Sequence, residues 1–451
     1  MTAAVGSLAT DLCALVGEAR VVSDPGACAA YCVDGMVPRH VVYPPSAEHV
    51  AALLKYAADH DLAVIPCRNT TKLEVGGIPR RYDLALSLKE LNRVWHYEAA
   101  DLTVSVEPGM KFGDFQHFLS RQRLWLPLDP AGGDKASLGG ILAANSSGAL
   151  RLRYGAPRDM VLGMKIATTE GKVVKTGGRV VKNVAGYDLG KLLVGSYGTL
   201  GVIVEASFKL FPLPPERATF ILPAGTFGIA RDLRRAIMDS PLEPLRLTLL
   251  DATGATQLLA GSSLAGEVKE PQLWVEVGGS PQVVGRCETE LRRIGAASGA
   301  PLKRLLPPVA EDLWRRVSDP RSWLVPPNPG LIALKVTLSI GASEEFLSRA
   351  RQEAEGEQVE LASFSQVGVG ISHLCLLEKK PSLEREGLLK RLRQAAEDLG
   401  GALVIERCPP ELKRRVNVWG STGSDFEAMR RVKTTWDPKG ILSPGRFVGG
   451  L

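Results

Sequence analysis

The chain has 451 residues, more than one ordinary core holds, and reads as about two or three domains. Its hydrophobic content of 45% and charged content of 23% are those of a soluble globular protein. A net charge of +6 suits anionic small molecules or an acidic partner, but the basic runs Lys413-Arg414-Arg415 and Arg430-Arg431 are short enough to be solvated helix surface, so nucleic-acid binding is excluded. Asp11 and Glu18 interrupt the apolar start, which reads as no signal peptide. No run of about eighteen uncharged apolar residues predicts a membrane span. Seven cysteines are scattered without a C-x-x-C pair. That pattern argues against an iron–sulfur or zinc site here and fits a reducing, cytoplasmic compartment.

In chain order, Ser46 caps a predicted amphipathic helix over residues 47–60, where Val50, Leu53, Leu54 and Ala57 recur at helical spacing. A short buried strand is expected at 62–65, then strands at 84–87 and 102–106. A helix follows over 112–121, with Phe112, Phe115, Phe118 and Leu119 on one face. From Asp129 to Gly201 glycines become dense, among them Gly139, Gly140, Gly148, Gly155, Gly177, Gly178, Gly186, Gly195, Gly198 and Gly201. Such density fits either a loop-rich surface or backbone packed against a ligand, which only a residue without Cβ allows. Apolar runs between the glycines (161–167, 172–176 and 202–210) read as strands of a compact domain, which favours the ligand. The prolines of Phe211-Pro212-Leu213-Pro214-Pro215 cannot continue helix or sheet and mark a boundary. Beyond it, strands at 219–222, 273–277 and 332–339 alternate with amphipathic helices at 281–294 and 381–400, an antiparallel α+β pattern. A helix and the turn residues Asp437-Pro438, Gly440 and Ser443-Pro444-Gly445-Arg446 complete the pattern. The expected division is 1–215, 216–405 and 406–451.

No G-x-G-x-x-G follows a strand and no G-x-x-x-x-G-K-[ST] occurs, so Rossmann and P-loop sites are not expected. The six histidines show no metal spacing, and no G-x-S-x-G elbow is present. What is present is Gly177-Gly178-Arg179-Val180-Val181-Lys182-Asn183-Val184-Ala185-Gly186-Tyr187-Asp188-Leu189, then Gly195-Ser196-Tyr197-Gly198-Thr199-Leu200-Gly201-Val202-Ile203. Upstream stand Ser137-Leu138-Gly139-Gly140, Ala143-Ala144-Asn145, Gly148 and Tyr154-Gly155-Ala156-Pro157-Arg158-Asp159.

Together these segments resemble the FAD-linked oxidases of the vanillyl-alcohol-oxidase, or PCMH, type. In detail they are similar to the FAD-binding subunits of glycolate oxidases. The resemblance covers residues 40–215 well, the stretch around 436–447 moderately and the middle domain weakly. It implies an α+β fold: a PCMH-type FAD-binding domain of two subdomains, an α+β cap domain with an antiparallel sheet, and a segment returning to the FAD domain. It also implies FAD as cofactor. FAD carries a pyrophosphate, which needs converging backbone N–H groups, and glycines at 139, 140 and 148 let backbone reach it. The resemblance assigns Gly201, Val202 and Ile203 to backbone contacts with a ring of the cofactor, and Ser137, Asn145 and Asn183 to its surroundings.

Two departures from the family pattern stand out. The pyrophosphate loop reads Pro66-Cys67-Arg68-Asn69-Thr70-Thr71-Lys72, with Arg68 and Thr70 where glycines are expected. Arg68 either supplies a guanidinium to the phosphates or weakens binding by its bulk; retained binding is the expectation, with Thr71 and Lys72 still able to donate. Relatives that oxidise 2-hydroxy acids carry His-x-Gly-Asp-Gly-Asn-x-His, whose histidines and acid help hold a metal. Here the matching stretch is Gln366-Val367-Gly368-Val369-Gly370-Ile371-Ser372-His373. A lone His373 cannot assemble that site, so no metal is expected and His373 is the one catalytic candidate. The expectation is therefore an FAD-binding subunit of a glycolate (2-hydroxy acid) dehydrogenase complex, relaying electrons beside a paralogous FAD subunit and an iron–sulfur subunit. Such a complex is compatible with attachment to the inner face of a membrane through those partners. FAD is expected to be non-covalent, because Cys67 lies in the pyrophosphate loop and not at a ring position. The rivals are a self-sufficient D-lactate-type dehydrogenase and a structural subunit that has lost FAD.

Overall fold

Ser46 accepts the His49 amide at 3.4 Å and starts the helix Ala47–Asp59, which buries Val50, Leu53, Leu54 and Ala57 along one stripe. That stripe packs on a four-stranded sheet. Its order is Val21–Val22, His40–Val42, Leu84–Ser87 and Val64–Cys67, and the last three strands run parallel. The strand after the helix sits two residues later than the apolar run 62–65 suggests, because its register is set by pairing with Leu84–Ser87. The computed structural model describes residues 2–179, 187–380 and 382–451.

A second, antiparallel sheet has the order Val94–Glu98, Thr103–Val106, Val202–Lys209, Val161–Ala167 and Val173–Gly177. The helix Phe112–Ser120 buries Phe112, Phe115 and Leu119, while Phe118 meets Tyr97 edge-on at 5.0 Å. The two sheets belong to one compact unit, made of Met1–Ser146, Ala156–Leu213 and Ser421–Leu451. Ser147–Gly155 and Pro214–Gly420 form the other.

That second unit is built on an eight-stranded antiparallel sheet, in the order Lys303–Leu305, Glu216–Pro223, Gln272–Gly279, Arg246–Leu250, Glu360–Gln366, Ile371–Leu377, Ile332–Thr337 and Ala402–Arg407. Alternate residues go to opposite faces. Leu273, Val275 and Val277 join the helices Phe227–Met238 and Pro281–Ala297. Trp274 joins Leu258, Leu313 and Trp314 of the helices on the other side. The predicted strands are found, lengthened to Glu216–Pro223 and Gln272–Gly279. Arg246–Leu250 was not anticipated. All five of its residues are buried, and a strand covered on both faces shows no alternation in sequence. The helix expected at 381–400 begins at Glu386, and Pro381 lies outside the described residues.

Candidate functional site: a cleft in the first unit

A cleft opens within the first unit, and its lining residues all belong to that unit. Its walls are the loop after Val64–Cys67, the short helix Leu138–Ala143, the 196–203 turn and strand start, and Ser443 with Arg446.

The loop wall carries the donors. Thr70 has φ +57°, a left-handed conformation rare for a β-branched residue. Its carbonyl accepts the Leu73 amide at 3.2 Å. The amides of Asn69, Thr70 and Thr71 have no acceptor among the described residues. Successive N–H groups around a left-handed residue form a concavity that suits an anion. The Arg68 guanidinium is half-buried beside them. Its Nε donates to the Gly109 carbonyl at 3.1 Å and its Nη1 bonds the Asn69 side chain. Burial lowers its pKa, partly opposed by Asp114. At Cys67, burial pushes the thiol up to about 12, so it is protonated at neutral pH.

The helix wall behaves differently. The Leu138 amide donates to Met110, the Gly139 amide to Pro108 at 2.8 Å, and the Gly140 amide to Ser137 Oγ at 3.3 Å. A Cβ at Gly139 would stand 2.7 Å from Pro108 Cβ, and one at Gly201 would stand 2.7 Å from Ile166 Cγ2. These two glycines answer to close packing of the protein on itself. The strand Val202–Lys209 pairs along its length with Val161–Ala167, but on its other side Thr103–Val106 reaches only Ala206–Lys209. Residues 202–205 thus keep a ladder edge that this neighbour does not cover, and Val202 and Ile203 line the cleft.

The remaining wall comes from far along the chain. Val64 N–H donates to Ile441 O at 2.8 Å and Ser443 N–H to Val64 O at 2.9 Å. Arg446 donates to the carbonyls of Leu73 (2.5 Å), Val75 (2.6 Å) and Gly77 (3.2 Å), with Asp34 at 3.7 Å. The buried Lys433 Nζ donates to Thr199 O (2.8 Å), Asp437 Oδ2 (2.6 Å) and Leu442 O (2.9 Å). Burial lowers its pKa, with Asp437 acting in opposition.

In the second unit, Gln366 to His373 is a tight hairpin joining Glu360–Gln366 to Ile371–Leu377. Gly370 has φ +71°, and a Cβ there would meet Leu338 O at 2.1 Å; one at Gly368 would meet Leu152. His373 Nδ1 lies 3.8 Å from Glu406 Oε2. Gln366 Oε1 is buried without a partner among the described residues. Among the described residues no three His, Cys, Asp or Glu side chains converge to hold a metal ion. The hairpin therefore does not fit the metal site of the full histidine motif.

Residues 38–177 match the FAD binding domain family, and residues 213–447 match the FAD linked oxidases, C-terminal domain. The chain belongs to the FAD-linked oxidases. It is 28% identical over 422 residues to the mitochondrial D-lactate dehydrogenase [cytochrome] of Arabidopsis thaliana, covering 91% of this chain and 74% of that one. It is 26% identical to the glycolate oxidase subunit GlcD of Bacillus subtilis, covering 91% and 89%. It is 25% identical to the D-2-hydroxyglutarate dehydrogenase of Stutzerimonas stutzeri, covering 98% of each. Among solved structures, p-cresol methylhydroxylase with substrate bound superposes with a TM-score of 0.75 at 16% identity, covering 98% of this chain and 96% of that one. Alkyldihydroxyacetonephosphate synthase gives 0.74 at 18%, covering 97% and 84%. The fold is the PCMH type, with α+β content and antiparallel sheets. The protein is an FAD-linked oxidoreductase, with FAD as its cofactor.

For this FAD-linked oxidase the cleft passes a test of fit. Ser443 lines it with a buried Oγ that has no partner among the described residues, and the 69–71 amides are unspent. Of the residues singled out from sequence, Arg68, Asn69, Thr70, Thr71, Lys72, Ser137, Gly139, Gly140, Gly201, Val202 and Ile203 come together around the cleft. Asn145 does not line it. With φ +45° it terminates the helix Leu138–Ala143, its amide on Leu142 O at 3.0 Å. Gly148 lies in the other unit. Asn183 lies outside the described residues. Sequence reasoning passed over Tyr197, Gly198, Ser443 and Arg446 as site residues. The signal available for Ser443 and Arg446 was a turn cluster at 443–446, which has no visible tie to a loop about 370 positions earlier. Among the described residues no helix is long and apolar enough to cross a membrane.

Proposed function

We propose that this chain is the FAD-binding subunit of a 2-hydroxy acid dehydrogenase complex of the glycolate type, with substrate oxidation completed on a paralogous flavoprotein. One contrast carries the reading. Unspent donors line the cofactor cleft, while Gln366 and Val369 stand where the catalytic motif has histidine and aspartate. The relatives named for glycolate, D-lactate and D-2-hydroxyglutarate support the substrate class.

In this reading Arg68, the 69–71 amides, Thr71 and Lys72 hold the diphosphate, while Ser137, Gly140 and Ser443 close the sides. Gly201, Val202 and Ile203 offer backbone to a cofactor ring, and Asn183 remains assigned to its surroundings by resemblance. When bound, FAD supplies a two-electron acceptor. Its attachment is non-covalent, since the thiol facing the cleft, Cys67, is held protonated and is a poor nucleophile. The cysteines form no cluster-binding pattern, so electrons leave through an iron–sulfur subunit. The chain itself is cytoplasmic, and any membrane attachment comes through those partners.

A second reading has a specific observation behind it. Oxidation of a hydroxyl carbon needs a base for the hydroxyl proton, and His373, with Nδ1 3.8 Å from Glu406 Oε2, is the imidazole at the matching position. On that reading the chain is a self-sufficient 2-hydroxy acid dehydrogenase. Purification from the native cell, with an absorbance scan, identification of bound chains and a dye-linked assay, separates the two. The subunit reading expects a yellow protein that is inactive alone and co-purifies with a second flavoprotein and an iron–sulfur protein. A colourless preparation that takes up no FAD would sink both.

A further inference from the structure

Two walls of the cleft are fastened by one distant segment, and the fastenings are charged side chains gripping backbone. Lys433 on the helix Phe426–Trp436 holds the 196–201 turn through Thr199 O, and holds its own segment through Asp437 and Leu442 O. Asp437 is buried and also accepts the Leu442 amide at 2.8 Å, so the ammonium and carboxylate form one closed network. Thirteen positions on from Lys433, Arg446 forks onto three carbonyls of the 73–77 loop. Between them Ser443 is knitted to Val64, at the root of the loop that carries Arg68 and Thr70. Phe447 meets the Tyr197 ring at a tilt, 5.8 Å between centroids, adding a contact from the same segment to the 196–201 turn. The 421–425 link preceding the helix is exposed throughout.

From this geometry we infer that Lys433 and Arg446 are positioning residues of the cofactor site, and that docking of the 426–447 segment and binding of FAD are thermodynamically coupled. This coupling presupposes that the cleft is the FAD site. A segment that must be seated for both walls to stand binds tightly only when the walls are ordered. Linkage makes the effect reciprocal, so FAD must hold the segment down by the same factor that the segment strengthens FAD.

The test uses the full chain, freed of FAD and then titrated with it. Amide hydrogen exchange is followed at Leu442 and Ser443, with Leu374 in the other unit as internal reference. Exchange at Leu442 and Ser443 is expected to slow on FAD binding while Leu374 is unchanged. Lys433→Met and Arg446→Met are expected to raise the FAD Kd by about 5- to 150-fold and to abolish most of that slowing. Arg446→Lys should not rescue, because a single ammonium cannot fork onto three carbonyls. Should Lys433→Met fail to fold, a protease site inserted at 421–425 and cut after folding replaces it, with loss of the cut segment on FAD removal as the readout. A wild-type chain that binds no FAD at all indicts the cofactor reading instead. Wild type that binds FAD with no change in exchange at Leu442 and Ser443, or variants and cut protein that bind as well as wild type, overturns the coupling.

Discussion

Arg68 offers the sharpest quantitative test of the cleft. Where the family pattern has glycine, this chain places a half-buried guanidinium whose Nε is engaged by Gly109 and whose Nη1 is engaged by Asn69. Nη2 has no partner among the described residues and is available to an anion in the cleft. Replacement by methionine keeps much of the bulk and removes the charge. A hydrogen bond to a charged partner contributes about 1.5–3 kcal/mol, which converts to about a 10- to 150-fold rise in FAD Kd. The guanidinium is not deeply buried, so salt should erode part of the difference. Titration of FAD-free protein by flavin fluorescence, at low and high ionic strength, reads both numbers. The variant should also lose part of the wild type's salt sensitivity. Unchanged or tighter binding by Arg68→Met would refute the reasoning and leave Arg68 as a spacer tied to Gly109. The double variant Arg68→Gly with Thr70→Gly then shows whether the ordinary glycine loop binds better than this one.

Thr70→Gly alone should be slightly stabilising, by at most about 1 kcal/mol, because relief of about 1–2 kcal/mol of left-handed strain is partly offset by the entropy of the unfolded glycine. Calorimetry should show a small rise in Tm, and a clear fall would mean the Thr70 side chain contributes contacts its exposure does not suggest. Burial raises the Asp251 carboxyl to about 6, against the amides of Gly254 and Ser363 that favour its charge. The native state therefore holds a proton that the unfolded state has lost between about pH 4 and 6. This stabilising term is full below the unfolded pKa and is lost as pH rises through about 6, a change of about 3 kcal/mol at most. Asp251→Asn keeps an acceptor for both amides and should flatten that slope in urea midpoints followed by tryptophan fluorescence; parallel slopes would show the carboxyl is not protonated. His373→Ala should leave turnover of the intact complex within about twofold, whereas a loss of about 100-fold, the scale of general base catalysis, favours the self-sufficient enzyme.

Local pattern was readable wherever one element answers to one face. The stripe of Val50, Leu53, Leu54 and Ala57 specifies its helix, and the glycine-rich stretch up to Ile203 marks a cofactor domain before any contact is known. Strands buried on both faces, such as Arg246–Leu250, carry no period to detect. The division of labour among glycines was equally hidden. Gly139 is required by Pro108, and its amide is spent there, while the unspent donors lie at Asn69, Thr70 and Thr71, in the loop that departs most from the glycine pattern.

The amino-acid sequence by itself determined the family, the cofactor class and the elements whose burial follows a local period. Only the tertiary structure decided which amides remain free among the described residues, that Asn145 ends a wall helix without itself lining the cleft, and that Lys433, Ser443 and Arg446 brace it. The reason is physical: hydrogen bonds from a side chain to backbone hundreds of residues away depend on chain closure, and closure leaves no periodic trace in the segments it joins.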